Sequence, residues 1–262
     1  MKALLSIEWL KIKHYRTFWV LAGLFAGLLL LWNLLILFGA MKLGGGGINL
    51  LNNSYTFPSV WDNVCHWTKL FSGLLAIVIV ILTTNEYQFK TNRQSVIDGW
   101  QRAEFFHAKW WLVLVMSIVV TLYTFILGFV FAVSNGSSLS LMGDHIEKVL
   151  YVFILNMNYF GFALTLSFFL KRSGMTIVIF LLYCYIIEII IQQLLNWKID
   201  ARPGDFLPMQ CSAELLNLPL IDLANNAMHK TSSSHTILMI TSIFWIVVYY
   251  IIGRTKLLRS DW

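Results

Sequence analysis

Residues 17–41 read TFWVLAGLFAGLLLLWNLLILFGAM, a run of 25 residues without a charged side chain. A helix rises about 1.5 Å per residue, so this run is long enough to cross a bilayer core roughly 30 Å thick. This run and the later apolar runs are continuous rather than alternating, which favours helices over the strands of a barrel. The sequence therefore predicts an all-α polytopic membrane protein.

Composition extends this prediction to the whole chain. Of the 262 residues, 58% are hydrophobic and 12% are charged, whereas about a quarter of the residues of a soluble domain are charged. We predict a single transmembrane domain over 1–262, preceded at 1–16 by an amphipathic helix on the membrane surface. Leu5, Trp9 and Ile12 share one stripe of that helix. The six predicted transmembrane helices cover residues 17–41, 65–84, 110–133, 149–170, 175–197 and 236–252.

The segment 198–235, between the fifth and sixth predicted spans, is too apolar for a solvated linker. It contains Pro203, Pro208 and Pro219 together with many leucines. Because proline interrupts long helices, we expect short helices here. We predict an extracellular re-entrant segment, since non-spanning backbone is tolerated at membrane depth where protein buries it.

The basic residues predict the orientation of the chain. Thirteen of the 19 Lys and Arg residues fall in the N-terminal segment, the 85–109 loop, the 171–174 turn and the C-terminal tail. By the positive-inside rule, these segments and both termini are cytoplasmic. The basic residues gather at the ends of apolar runs and form no single stripe, which indicates membrane lipid and not nucleic acid as the expected contact.

Motifs for enzyme chemistry are missing from the sequence. It contains no His-Glu-x-x-His pair, no Gly-x-Ser-x-Gly elbow and no Gly-x4-Gly-Lys-Ser/Thr phosphate loop. The histidines show no metal-binding cluster, so we expect no metal and no cofactor on this chain. Cys65 and Cys211 fall on the same predicted side and leave one disulfide conceivable, whereas Cys184 lies within a span.

Residues 86–109, EYQFKTNRQSVIDGWQRAEFFHAK, are the longest polar interruption in the first half of the chain. This stretch resembles the cytoplasmic loop of type-2 ABC transporter permeases, in which a Glu at the end of the second span is followed by a Gly-Thr pair, an apolar turn, a Pro- or Gly-containing break, a Ser/Arg element and a Lys that opens the third span. The matching residues here are Glu86, Thr91, Arg93, Gly99, Arg102 and Lys109. The chain departs from the pattern at Lys90, where the family usually has Gly, and at Gly99-Trp100, which replaces a Pro-containing break.

The resemblance implies a bacterial inner-membrane permease that works with a separate ATP-binding subunit. ATP and Mg²⁺ would be bound by that partner, and a second permease copy or a paralogue would complete twelve spans. The loop would couple the partner to the spans. Val96, Ile97 and Trp100 are spaced to share one helical face, with Phe105 and Phe106 beside them, so this face could seat in a groove of the partner. An ordinary helix in the lipid headgroup region is the alternative.

Polar side chains within the predicted spans form a second candidate site. A carboxylate in hydrocarbon is costly, which makes Glu188 a functional candidate, with Gln192 one turn further on. Asn33, Asn156 and Asn158 are predicted at a similar depth. These five residues could line a translocation path or a subunit seam. The alternative is hydrogen bonding between helices, which contributes about 0.6 kcal/mol per contact.

The sequence thus favours the membrane-spanning permease subunit of an ATP-driven exporter, without ATPase activity of its own. One alternative is a secondary transporter or channel, although no inverted repeat is visible. Another is a membrane scaffold that recruits a cytoplasmic protein through the same loop. The transported substrate cannot be read from these residues.

Overall fold

A computed structural model describes residues 2–39, 55–97, 99–199, 202–218 and 234–259, including their side chains except those of residues 2–7, 93, 95 and 96. The described residues contain helices and no strand, which confirms the all-α class. The helices are α1 (Lys2–Lys13), α2 (Arg16–Leu37), α3 (Ser59–Gln88), α4 (Thr91–Ile97), α5 (Arg102–Ser134), α6 (Glu147–Leu170), α7 (Ser173–Lys198), α8 (Gln210–Glu214) and α9 (His235–Arg259).

Six of these helices are long and apolar enough to cross a membrane, as the sequence predicts: α2, α3, α5, α6, α7 and α9. Three of them, α3, α5 and α9, continue well past the predicted spans, and α9 ends at Arg259 instead of residue 252. α3 has 30 residues and α5 has 33, which correspond to lengths of about 45 and 50 Å. As a result, the segment that separates α3 from α5 is only residues 89–101, shorter than the predicted 85–109 loop.

The centre of the bundle is formed by α3 and α6, which pack against each other. In the apolar 18-residue stretch of α6, 67% of the residues are buried, compared with 22% in the corresponding stretch of each of α2, α7 and α9. Small residues allow the close packing. A Cβ added at Gly253 of α9 would lie 3.2 Å from the Phe106 ring and 3.4 Å from the Thr165 hydroxyl. The less buried helices therefore surround a core built from α3, α6 and part of α5.

The part of the predicted re-entrant segment that the structure describes, residues 202–218, packs against α7, α6 and α9. It consists of a short 3₁₀ turn at Pro203–Phe206 followed by α8. Most of its side chains are buried, including Met209 and Leu216. Residues 200–201 and 219–233 of the predicted segment lie outside the described residues. We call residues 202–218 the outer segment.

Candidate functional site

An ionic cluster joins α1, α3 and α5 at one end of the bundle. The Lys109 Nζ lies 2.7 Å from Glu8 Oε2 and 2.6 Å from Glu86 Oε1. Lys11 Nζ completes the cluster at 2.9 Å from the same Glu86 oxygen and 3.2 Å from Glu8 Oε1. Two ammonium groups thus face two carboxylates, and the four side chains are balanced in charge. We call these four residues the inner cluster.

The inner cluster is assembled by the helix ends. Glu86 lies in the last turn of α3 and Lys109 in the second turn of α5, while Glu8 and Lys11 lie three residues apart on α1. The side chain of Lys109 is 0% exposed. A buried ammonium without partners would be strongly unfavourable, so the two carboxylates are needed to keep Lys109 inside the protein.

The carboxyl group of Glu8 shows how the cluster acts on its members. Burial by itself raises the pKa of this group, but the charges and hydrogen bonds of Lys109 and Lys11 outweigh burial and hold the pKa below its usual value. Glu8 is therefore ionised at neutral pH. It keeps α1 attached electrostatically to the start of α5.

The segment between α3 and α5 reverses the chain through two unusual backbone conformations. Lys90, directly after α3, has φ 56°, and Gly99 has φ 95°. Left-handed φ values are readily adopted by glycine and costly for other residues, so the backbone at Lys90 has a cost that a glycine at this position would avoid. Thr91 begins α4, and its hydroxyl lies 3.4 Å from the carbonyl oxygen of Glu86.

The predicted apolar face of this segment is arranged differently from the sequence-based expectation. α4 ends at Ile97, so Trp100 follows the helix and cannot share its face. Phe105 and Phe106 are buried in α5 against the bundle. Among the described side chains of residues 89–101, the exposed apolar ones are Ile97, a predicted residue that is 77% exposed, and Phe89, which is 69% exposed.

Three other residues predicted to act in this loop are Arg93, Val96 and Arg102. Arg102 begins α5, and its Nη1 donates to the carbonyl oxygen of Leu258 at 3.1 Å, which ties this end of α5 to the C-terminal helix α9. The side chains of Arg93 and Val96 lie outside the described residues. The sequence analysis did not include Phe89 among the apolar contact residues, because Phe89 lies before the predicted loop helix. Its position directly after the end of a span could have indicated an exposed apolar side chain.

The second candidate site surrounds Glu188 on α7. This residue follows a π-helical turn at Tyr183–Ile187 and is 1% exposed. Its Oε1 accepts hydrogen bonds from the backbone N–H groups of Met209, at 2.6 Å, and Gln210, at 3.2 Å. A carboxylate on a spanning helix thus caps the first turn of α8 and fixes the outer segment in place.

Two amides one turn apart continue this attachment along α7. The Gln192 and Asn196 side chains both donate to Asp205 Oδ1, at 3.0 and 2.8 Å. Asn196 Oδ1 also accepts from the Gly204 N–H at 2.9 Å. A Cβ at Gly204 would lie 2.6 Å from the carbonyl oxygen of Gln192, so only glycine lets the outer segment approach α7 this closely.

The three asparagines of the predicted polar belt have separate environments. Asn158 donates to the carbonyl oxygen of Pro208 at 2.7 Å and therefore shares the outer segment with Glu188. Asn33 binds its own helix and accepts from the Tyr55 hydroxyl at 3.0 Å. Asn156 donates to the carbonyl oxygen of Val152 within α6. The structure thus brings Glu188, Gln192 and Asn158 together on the outer segment and places the other two apart from them.

Two lysines and one histidine also hold the outer segment. The sequence analysis used the lysines only to predict topology. Lys69 Nζ lies 3.2 Å from the Ala213 carbonyl oxygen, and Lys148 Nζ lies 3.2 Å from that of Leu215. His66 Nδ1 lies 2.8 Å from the Leu216 carbonyl oxygen. The available signal was an ionisable residue within or next to an apolar run, which usually marks a buried contact.

The described residues contain no group of three or more His, Cys, Asp or Glu side chains placed to hold a metal ion. The three cysteines Cys65, Cys184 and Cys211 are buried and free. The disulfide left conceivable by the sequence is therefore not formed in this structure. Polar contacts, not covalent bonds, attach the outer segment.

No curated protein matches this sequence. The family described as ABC-2 family transporter protein, in contrast, matches residues 4–188. That match runs from α1 through the inner cluster to Glu188 on α7. Because it covers more than two-thirds of the chain, the protein belongs to the ABC-2 transporter family and is a permease component of an ABC transporter.

Proposed function

We propose that this chain is the membrane-spanning subunit of an ATP-driven exporter, and that a separate ATP-binding subunit docks on residues 89–101. The observation that carries the proposal is the inner cluster, which braces both ends of this segment. Glu86 precedes the segment, Lys109 follows it, and the two side chains are in direct contact.

Because the inner cluster links the two ends of residues 89–101, this segment is suited to transmitting force. A partner that pushes on α4 acts on the ends of α3 and α5 together, because their charged side chains and α1 form one buried unit. Phe89 and Ile97 provide exposed apolar anchors, and buried apolar anchors contribute most of the affinity of protein interfaces, whereas charges at the rim contribute little. We assign Arg93 and Arg102 to such a supporting role.

The division of labour follows from the sequence. The chain lacks a phosphate-binding loop, so ATP and Mg²⁺ are assigned to the partner subunit. Thirteen of the 19 basic residues lie on the side that carries residues 89–101, which supports a cytoplasmic position for this segment and for both termini in a bacterial inner membrane. The limited burial of α2, α7 and α9 supports association with a second permease, identical or related.

Translocation is assigned to the assembled pair of permeases. In this proposal the outer segment closes the path on the side opposite the ATP-binding subunits. The contacts of Glu188, Gln192 and Asn158 with this segment support such a closure. These residues would then act by holding the closure, while Asn33 and Asn156 support helix packing within the spans.

The test replaces Phe89 and Ile97 with Ala in the complete complex. We expect the ATP-binding subunit to be lost during purification in detergent, or its hydrolysis to become independent of transport, while the permease remains folded. The matched control is the double variant Leu139→Ala and Leu141→Ala, which also removes exposed apolar side chains but lies beyond the opposite end of α5.

Four outcomes are informative. Loss of the partner only in the Phe89 and Ile97 variant supports the proposal. Full retention of the partner, its coupled hydrolysis and transport in that variant would show that residues 89–101 are not the docking site. Transport that persists without any ATP hydrolysis would favour a channel or secondary transporter, and partner recruitment without transport would favour a scaffold.

A further inference from the structure

A crevice opens beside the inner cluster, between α1, α3 and the start of α5. It encloses about 270 Å³ and is lined by Glu86 and Lys11 together with the apolar side chains of Ile12, Leu82 and Phe89. One water molecule accounts for roughly 30 Å³ of the liquid. The crevice is therefore large enough for a small polar group with part of an apolar chain.

Glu86, one of the residues that line the crevice, has a buried carboxylate oxygen without a partner among the described residues. Glu86 is 7% exposed, and its Oε1 accepts from both Lys11 and Lys109. Its Oε2 is buried and has no hydrogen-bond partner within the described parts of the chain. A buried carboxylate oxygen without a donor costs about 1–3 kcal/mol or more, so a donor that reached Oε2 from the crevice through a small shift of the side chain would remove this cost.

The opposite charge is also present at the crevice. Lys11 Nζ donates to Glu8 and Glu86, and an ammonium group has three N–H donors. The side chain is 36% exposed, so it can shift to admit a ligand and direct its third donor toward an anion. An unsatisfied anionic acceptor and a cationic donor are thus offered side by side.

Exposed tryptophans on α1 and in the first turn of α2 indicate the depth of this end of the bundle. Trp9 on α1 and Trp19 on α2 are each 54% exposed, and exposed tryptophans concentrate at the level of lipid headgroups. The crevice also lies where α3 ends and α5 begins. Leu82 and Ile12 extend its wall toward the apolar part of the spans.

We propose that this crevice binds a phospholipid whose headgroup carries a primary ammonium and a phosphate. The ammonium donates to Glu86 Oε2, the phosphate accepts from Lys11 Nζ, and the start of an acyl chain lies against Leu82 and Ile12. Because the inner cluster is already balanced in charge, a zwitterionic headgroup keeps the site neutral. A lone anion or cation would leave a net charge in a partly dry site, which is costly.

The number of N–H donors on the headgroup provides a sharp test. Phosphatidylethanolamine has N–H donors, phosphatidylcholine has the same charges without them, and phosphatidylglycerol lacks the ammonium. The purified complete chain is equilibrated with equal amounts of the three lipids in detergent, and bound lipid is counted by native mass spectrometry. We expect phosphatidylethanolamine to be retained roughly tenfold over phosphatidylcholine, the effect of one hydrogen bond to a charged group.

Two variants locate the bound lipid. Leu82→Trp fills the crevice without altering a charge, and Lys11→Met removes the phosphate donor. Both should abolish the preference, whereas Lys13→Met, at an exposed lysine on the same helix, should retain it. Because Leu82→Trp leaves all four charges in place, it remains informative if Lys11→Met fails to fold.

Several results would overturn the proposal. Equal retention of phosphatidylethanolamine and phosphatidylcholine would mean that water satisfies Glu86. A preference that survives both Leu82→Trp and Lys11→Met would place the lipid elsewhere. Release of the ATP-binding subunit by these variants, with lipid retention unchanged, would assign the crevice to a basic side chain of that partner instead.

Discussion

The inner cluster and the outer segment are held by different kinds of contact. In the inner cluster, four charged side chains from three helices bind one another at short distances. The outer segment is held largely by side chains of the spans that bind its backbone, as Glu188 binds the N–H groups of Met209 and Gln210. The first arrangement depends on every member. The second spreads the attachment over many weaker contacts.

This difference predicts how each region responds to damage. Removing one charge from the inner cluster leaves another charge buried without a partner, and that penalty falls on the whole bundle. Removing one contact from the outer segment leaves its neighbours in place. Damage to the inner cluster should therefore destabilise the whole bundle, whereas damage to the outer segment should loosen only that segment.

The largest expected effect is that of Lys109→Met. It leaves the Glu8 and Glu86 carboxylates buried with only Lys11 between them, so we expect the free energy of unfolding to fall by about 3–5 kcal/mol. Denaturant unfolding in mixed micelles measures this change. Lys13→Met should stay within about 0.5 kcal/mol of the parent, as exposed substitutions usually do.

A second substitution sharpens this prediction. Adding Glu8→Gln to Lys109→Met restores charge balance and should recover part of the lost stability, because the two sites are in contact and their effects are not additive. If Lys109→Met and Lys13→Met were equally mild, the inner cluster would not hold the helix ends.

An intermediate effect is expected for Glu188→Leu, which removes the acceptor for two backbone N–H groups. We expect the outer segment to open more readily by about 2 kcal/mol, so the buried thiol of Cys211 should react roughly 30-fold faster with a soluble thiol reagent. Labelling is measured on a background with Cys65→Ala and Cys184→Ala, which leaves one thiol.

The matched variant Glu188→Gln separates geometry from charge. Its carbonyl oxygen can still accept from both N–H groups, so labelling of Cys211 should remain close to that of the parent. Similar rates in the Gln and Leu variants would contradict the capping role. A large change in transport in the Gln variant, with Cys211 still protected, would instead point to a role of the charge in translocation.

The smallest effect concerns the connection at the inner end. Lys90→Gly removes a non-glycine residue from a left-handed conformation and should raise the free energy of unfolding by at most about 1 kcal/mol, since the flexibility of glycine in the unfolded chain offsets part of the gain. Gly99→Ala should have the opposite sign. Its added Cβ meets open space, so the change in denaturant unfolding reports backbone strain alone, and a stabilising Gly99→Ala would refute this account.

The sequence was sufficient for the fold because long apolar runs leave the backbone few alternatives in a bilayer. It also singled out Glu86 and Lys109 through their order in a loop. Their contact with Glu8, which is 101 positions from Lys109, could not be predicted, because it depends on how α1 packs against two other helices. The sequence could indicate which ionisable groups are unusual, but it could not show which of them contact one another.

The helix ends and the polar belt show a second limit of sequence reasoning. Hydropathy locates the apolar part of a helix but not the polar turns that continue it, so α3 and α5 extend beyond their predicted spans. At the start of α5, the N–H of Gln101 donates to Glu104 at 2.9 Å, a local capping contact within a polar stretch. Likewise, the predicted depth of a residue in the bilayer does not show which neighbouring helix its side chain faces, as Asn33 illustrates.

The length of α3 has a mechanical consequence. Glu86 near one end belongs to the inner cluster, and Asp62 near the other contacts Lys148, a basic residue that binds the outer segment. The two residues are 24 positions apart, which corresponds to about 36 Å of continuous helix, so a tilt of about 5° moves one end by about 3 Å relative to the other. In the proposed function, α3 would thus act as a lever arm, because a small rotation imposed at residues 89–101 would displace the far end of the helix far enough to break hydrogen bonds there.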